Sequence, residues 1–177
     1  MAQRFILGIG SGRCGTLSLA HVLAAQPETH ASHEDPPLLP WKPKPGRSVM
    51  EQRFVRWRRK CKDAAVVADA ASFYLPYVEQ AIAHEPDLRV ICLKRPREEV
   101  VESFCKWLER INPLKINHWV DRPPPGWHHD PVWTRIFPQY DVEDREQGIR
   151  RYWDEYYSRV DELVARYPDH VRVFATH

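Results

Sequence analysis

"RFILGIGSGRCGTLSLAHVL", residues 4–23, decides how the rest of the chain is read. Phe5, Ile6 and Leu7 are an apolar run of the length of a buried strand, and Gly8, Gly10, Gly12 and Gly15 break it at once. From Gly15 to Ala25 the pattern turns helical, with Leu19, Val22 and Leu23 on one side and Pro27 as the stop. Strand, glycine turn and helix in that order make an anion site. The first-turn N–H groups of a helix have no intrahelical partner, and the dipole puts partial positive charge there. Glycines bring the backbone close to the anion with no Cβ in the way. Arg13 adds a charged fork matched to phosphate or sulfate oxygens, and Thr16 and Ser18 add hydroxyls.

Three familiar loops fail on this stretch. Gly10 and Gly15 have the spacing of a nucleotide-hydrolysing P-loop, but Thr16 stands where its lysine belongs. Gly8 and Gly10 open a dinucleotide fingerprint whose third glycine would fall on Arg13. A cysteine-phosphatase loop on Cys14 would need an arginine at position 20, which is Ala20.

Outward from the loop, strands and helices alternate. Residues 29–32 are a brief extended piece, followed by the proline-rich "HEDPPLLPWKPKPG" of residues 33–46. Residues 48–62 form a basic helix, and 64–70 a second buried strand. "YLPYVEQAIAHE" (74–85) reads as a helix, "LRVICLK" (88–94) as the clearest strand, and 97–110 as a helix with Glu98 and Glu99 in its first turn. Residues 111–143 have no periodicity and read as an irregular, lid-like segment. Ile149, Tyr152, Trp153, Tyr156, Val160, Leu163 and Val164 then trace one helix face, before a last strand in "HVRVFAT" (170–176). The expectation is one domain over residues 1–177, an α/β fold built as a P-loop-like three-layer sandwich around a mainly parallel sheet.

Composition agrees with a soluble globular protein: 43% hydrophobic and 28% charged, with 16 prolines and 7 tryptophans. A net charge of +2 is too small to argue for a nucleic-acid or membrane surface, neither of which is expected as a partner, so any anion site is local. Cys14, Cys61, Cys92 and Cys105 show no paired spacing, which fits a reducing, cytoplasmic setting. No run approaches a membrane span or a signal-peptide core. Nothing in the sequence bears on oligomeric state.

"GSGRCGTLSLAHVLAAQPE" resembles the 5′-phosphosulfate loop of the sulfotransferases that use 3′-phosphoadenosine 5′-phosphosulfate (PAPS), in particular the tyrosylprotein type and related bacterial enzymes. A second motif of that family is an arginine at a strand end and a serine eight residues later on the next helix. In "LKRPREEVVESFCKW", Arg95 and Ser103 keep that interval, with Lys94 competing for the arginine role. The resemblance implies that Gly12, Arg13, Cys14, Gly15, Thr16, Leu17 and Ser18 hold the phosphosulfate, and that Arg95 and Ser103 clamp the 3′-phosphate. It also implies a carboxylate general base just beyond the first helix, which here falls on Glu34 in "SHEDPP". His33 is the alternative base, plausible from its ordinary pKa. Arg13 would in addition stabilise charge on the leaving oxygen.

No metal is expected in such a site, and His128, His129 and Asp130 lack the remote partners of a zinc site. The acceptor class stays open among small molecules, carbohydrates and peptides. Trp41, Trp119, Trp127 and Trp133 are candidates for an apolar or sugar-stacking wall, and the basic helix for a solvated face. Two rival functions remain: a nucleotide kinase with a degenerate loop, with Asp69 as its one metal-binding candidate, and a non-catalytic nucleotide-binding module.

Overall fold

The computed structural model describes residues 3–44 and 48–177. Its centre is a five-stranded, all-parallel sheet flanked by helices, in the order β2-β3-β1-β4-β5. The strands are β1 (Arg4–Ile9), β2 (Thr29–His33), β3 (Val66–Ala70), β4 (Arg89–Lys94) and β5 (Val171–Ala175). The helices are α1 (Thr16–Ala24), α2 (Val49–Lys60), α3 (Val78–His84), α4 (Arg97–Ile111), α5 (Trp133–Ile136) and α6 (Arg145–Arg166). β1 is the middle strand, and Phe5, Leu7 and Ile9 are buried in it. A strand covered on both faces needs an apolar run, which residues 5–9 supply.

Parallel strands put all their C-terminal ends on one side, where ligands of open α/β sheets bind beside the point at which the strand order reverses. Here the chain leaves β1 toward β2 and returns through β3, then crosses β1 to reach β4. The reversal therefore lies at β1, and the glycine loop leaves from that point. His33, Ala70 and Lys94 end the neighbouring strands on the same side.

Two elements differ from the sequence reading. Residues 72–77 form a 3-10 helix before α3, because Pro76 supplies no N–H and disfavours an α-helical turn before it. The basic helix has a solvated face carrying Arg58, Arg59 and Lys60, but its other face is buried. Its Met50, Arg53, Phe54 and Trp57 are buried, with Arg53 only 3% exposed. Arg53, Arg56 and Lys60 converge on buried Asp35, which also accepts from the Trp57 indole N–H at 2.9 Å. Burial alone would raise the Asp35 carboxyl; the indole N–H and the three cations overcome it and hold it low.

Residues 112–143 hold a 3-10 turn at Asn112–Leu114, α5 and two isolated bridges. The centre of this segment is anchored. Trp119 is fully buried against Gly148 of α6, where a Cβ would lie 2.8 Å from the Cβ of Trp119. Phe104, Phe137 and Tyr152 surround the indole with ring centroids 4.7–5.2 Å away. Among the described residues no helix is long and apolar enough to cross a membrane.

Candidate functional site

The glycine loop turns through left-handed backbone at Gly12 (φ 80°), Arg13 (φ 54°) and Gly15 (φ 100°). Gly15 precedes α1 and offers no capping side chain, so the first-turn N–H groups are left for a ligand. Gly10 is there for packing: a Cβ would meet the Cys14 Sγ at 2.3 Å and the Leu93 carbonyl at 2.9 Å. Cys14 itself points inward and is buried, which pushes its thiol up to about 11. What Cys14 can offer an anion is its backbone.

The loop is held from below by α6, a part the sequence reading missed. The Gly10 N–H donates to the Tyr156 hydroxyl at 2.9 Å, and that hydroxyl donates to the Ser72 carbonyl at 3.0 Å. The Tyr157 hydroxyl donates to the Leu93 carbonyl at 2.7 Å and sits 3.4 Å from the Ser11 N–H. Burial raises both phenols well above their ordinary value, so they stay protonated donors. The helix periodicity pointed Tyr156 inward, but nothing in it marks a hydroxyl aimed at a loop about 146 residues earlier.

Above the loop, the predicted residues meet. Arg13 Nε donates to Ser103 Oγ at 3.1 Å, and Arg95 Nη1 donates to the Arg13 carbonyl at 3.2 Å. Glu99 orients Arg95 through its Nε at 2.9 Å, and the Trp153 indole donates to the Arg95 carbonyl at 3.0 Å. The rival Lys94 is turned away: its ammonium lies over the rings of Tyr157 and Trp153, 5.1 and 5.4 Å from their centroids.

His33 and Glu34 end β2 on the same side of the sheet. Thr16 Oγ1 and His33 Nε2 are 3.0 Å apart, so this histidine is tied to the start of α1. Glu34 is left-handed (φ 54°), an unusual conformation for a glutamate, and its N–H donates to the Ala70 carbonyl at 3.1 Å. Burial raises the Glu34 carboxyl; His33 opposes the shift and Asp69 adds to it. Asp69 has no place left for a cation. It is fully buried and accepts from Ser32 Oγ at 2.7 Å, Tyr74 OH at 2.5 Å and the Asp35 N–H at 3.2 Å.

Two clefts share Arg13, Gly15 and Arg95. One, of about 500 Å³, runs from the loop and Thr16 past His33, Glu34 and Ser103 to Phe104, Trp107, Trp133 and Phe137, with Leu17 on its lining. The other, of about 480 Å³, lies toward β5 and includes Ser18, Leu93 and Thr176. Of the four tryptophans considered for an acceptor wall only Trp133 lines the first cleft. Trp41 and Trp119 are core, and Trp127 stacks under Arg145. His129 approaches the Val120 carbonyl, and Asp130 accepts from the Val132 and Trp133 N–H groups just before α5.

The all-parallel sheet, with a glycine loop leaving its middle strand and helices on its flanks, defines an α/β domain of the P-loop-like class. Comparison with known families is more specific. A family model described as "Sulfotransferase domain" matches residues 5–176, and the chain belongs to that family. The crystal structure of a sulfotransferase from Alicyclobacillus acidocaldarius has a similar fold: TM-score 0.62 at 17% identity, over 99% of this chain and 74% of that one. An unliganded sugar kinase from Janibacter sp. HTCC2649 aligns over 99% of this chain and 100% of that one at 14% identity, with a TM-score of only 0.40. Compared by sequence with curated proteins, the chain finds no match.

Proposed function

We propose that this sulfotransferase-family domain moves a sulfuryl group from PAPS to an acceptor hydroxyl or amine, in line, with Glu34 as general base. The observation that carries the reading is the convergence of Arg13, Ser103 and Arg95 over the glycine loop, with Glu34 in the same cleft. The residues fit such a donor. Gly12 lies close against Phe104, and Gly15 leaves the helix N-terminus uncapped, so the first-turn N–H groups are available to an anion. When bound, PAPS supplies an activated sulfuryl group: the acceptor–sulfur bond forms as the sulfur–oxygen bond to the phosphate breaks, and the electron pair stays on the phosphate oxygen.

The chain's own residues have separate tasks. Arg13, Thr16 and the first-turn N–H groups hold the charge that grows on the leaving oxygen. Arg95 and Ser103 hold the nucleotide's far phosphate, a role that Ser103 takes by exchanging its bond to Arg13. Glu34 accepts the acceptor's proton, and its burial raises its basicity for that task. His33 is held by Thr16 and serves to position the start of α1 rather than as the base. The domain works as one unit in the reducing cytoplasm, in keeping with four free cysteines.

Calorimetric titration with 3′-phosphoadenosine 5′-phosphate (PAP) and with ADP tests the donor site. Strong preference for PAP is expected, and equal affinities would refute the clamp. Glu34→Gln should keep PAP affinity while turnover with PAPS falls at least a hundredfold. Unchanged turnover removes Glu34 from the role. PAP binding with no transfer to any acceptor would mark a binding module.

A further inference from the structure

The cleft that holds Glu34 has two chemically different ends. Arg13, Thr16, His33, Glu34 and Ser103 make one polar; Phe104, Trp107, Trp133 and Phe137 make the other aromatic. The rings of the aromatic end pack on one another. Trp133 and Phe137 stack at 16° with centroids 6.3 Å apart, and Trp107 meets Trp133 edge-on at 6.0 Å. Behind them lies His118, 1% exposed, with both ring nitrogens unpartnered and its ring tilted by 32° to Trp107 and 31° to Phe137. Burial lowers its pKa to about 4, so it is a neutral ring of this stack and brings no charge to the wall.

From this we infer that the acceptor is an uncharged alcohol or phenol with an aromatic or fused-ring body, its rings against Trp107, Trp133 and Phe137 and its hydroxyl at Glu34. The inference rests on the transfer reading above and names the substrate class of that same cleft.

The excluded acceptors follow from what the wall lacks. A saccharide presents several hydroxyls, which need carboxylate or amide partners once desolvated. Among the described lining residues Glu34 is the one carboxylate, it belongs to the reacting end, and no Asn, Gln or Asp joins it. An acidic peptide needs cations. The two that line the cleft, Arg13 and Arg95, are committed to the anion cradle, while Arg53, Arg56 and Lys60 are spent on Asp35. A flat apolar body needs neither, and about 500 Å³ is within the usual range for a small-molecule site. In the transfer the acceptor's O–H proton goes to Glu34 as its oxygen bonds sulfur, so a neutral hydroxyl at that end is sufficient.

The test separates the wall from the donor site. PAP affinity, measured first, reports the donor site alone. 2-Naphthol binding without nucleotide, read by quenching of tryptophan fluorescence, reports the wall alone. Initial rates with PAPS are then compared for 2-naphthol, methyl glucoside and a tyrosine peptide flanked by glutamates. 2-Naphthol should exceed both others by at least tenfold in kcat/KM. Trp133→Ala and, separately, Trp107→Ala should each weaken naphthol binding and raise its KM roughly tenfold while PAP affinity is unchanged. Both indoles are half-buried, and melting curves establish that each variant is folded. The inference is overturned if PAP binds and the glucoside or peptide is the better acceptor. It is overturned equally if both folded variants bind naphthol like the parent. Naphthol binding without PAP binding would sink the donor reading, and the acceptor assignment with it.

Discussion

Arg13 carries two burdens in one residue. Its guanidinium reaches Ser103, while its backbone sits at φ 54°, where a side chain with a Cβ is strained by about 1 kcal/mol. Charge and strain can be separated by two substitutions. Arg13→Ala removes the charge and keeps the strain; Arg13→Gly removes both. The glycine variant should be the more stable of the two by about 1 kcal/mol, a difference of several degrees in melting temperature. Both should lose PAP affinity by at least tenfold, because a charge-assisted contact to phosphate or sulfate is gone. Equal melting temperatures would mean that the loop relaxes out of the left-handed region when the side chain is lost. Full PAP affinity in either variant would take Arg13 out of the cradle.

At the scale of elements, the ends of β2 and β3 set the protonation of the proposed base. Glu34 is raised first by burial and further by Asp69, and is lowered by His33. A general base acts ionised, so turnover should rise with pH through the raised Glu34 value. Asp69→Asn removes a neighbouring negative charge, eases that ionisation and should move the acid limb of the kcat/KM profile to lower pH. His33→Gln removes a neighbour that favours the ionised form, so the limb should move to higher pH. Opposite shifts identify Glu34 as the titrating group; shifts of one sign, or none, assign the limb to another group. These elements also show what the sequence could and could not disclose. Apolar runs with glycine and proline breaks located β1, β3 and β4, because burial on both faces of a parallel sheet demands such runs, whereas the edge strand β2 has no apolar run and read only as a brief extended piece. The eight-residue step from Arg95 to Ser103 was legible because both partners lie on one strand–helix unit. The Arg53–Asp35 network was not, since a basic stretch in sequence does not reveal which of its cations turns inward. The hydroxyls of Tyr156 and Tyr157 and the wall of Phe104, Trp107 and Phe137 were missed for a related reason: helix periodicity fixes which face is buried, but not what that face touches.

For the whole molecule, the two clefts meet at Arg13, Gly15 and Arg95, with Ser103 on the side of the aromatic wall. The loop and its two arginines lie between a space toward β5 and a space toward the aromatic wall. That arrangement suits a nucleotide on one side and an acceptor on the other, with the sulfuryl group passing between them. A covalent relay would need a free nucleophile on the chain; the nearest thiol, Cys14, is buried with its pKa pushed up to about 11, Thr16 and His33 are bonded to each other, and Ser103 is bonded to Arg13. Donor and acceptor should therefore be bound together before either product leaves. Initial rates measured against PAPS at several fixed naphthol concentrations should give intersecting double-reciprocal lines. PAP should compete with PAPS and leave the apparent affinity for acceptor intact. Parallel lines, or release of PAP in the absence of acceptor at one equivalent per chain, would instead require a sulfated enzyme. The two clefts would then be occupied in turn rather than together.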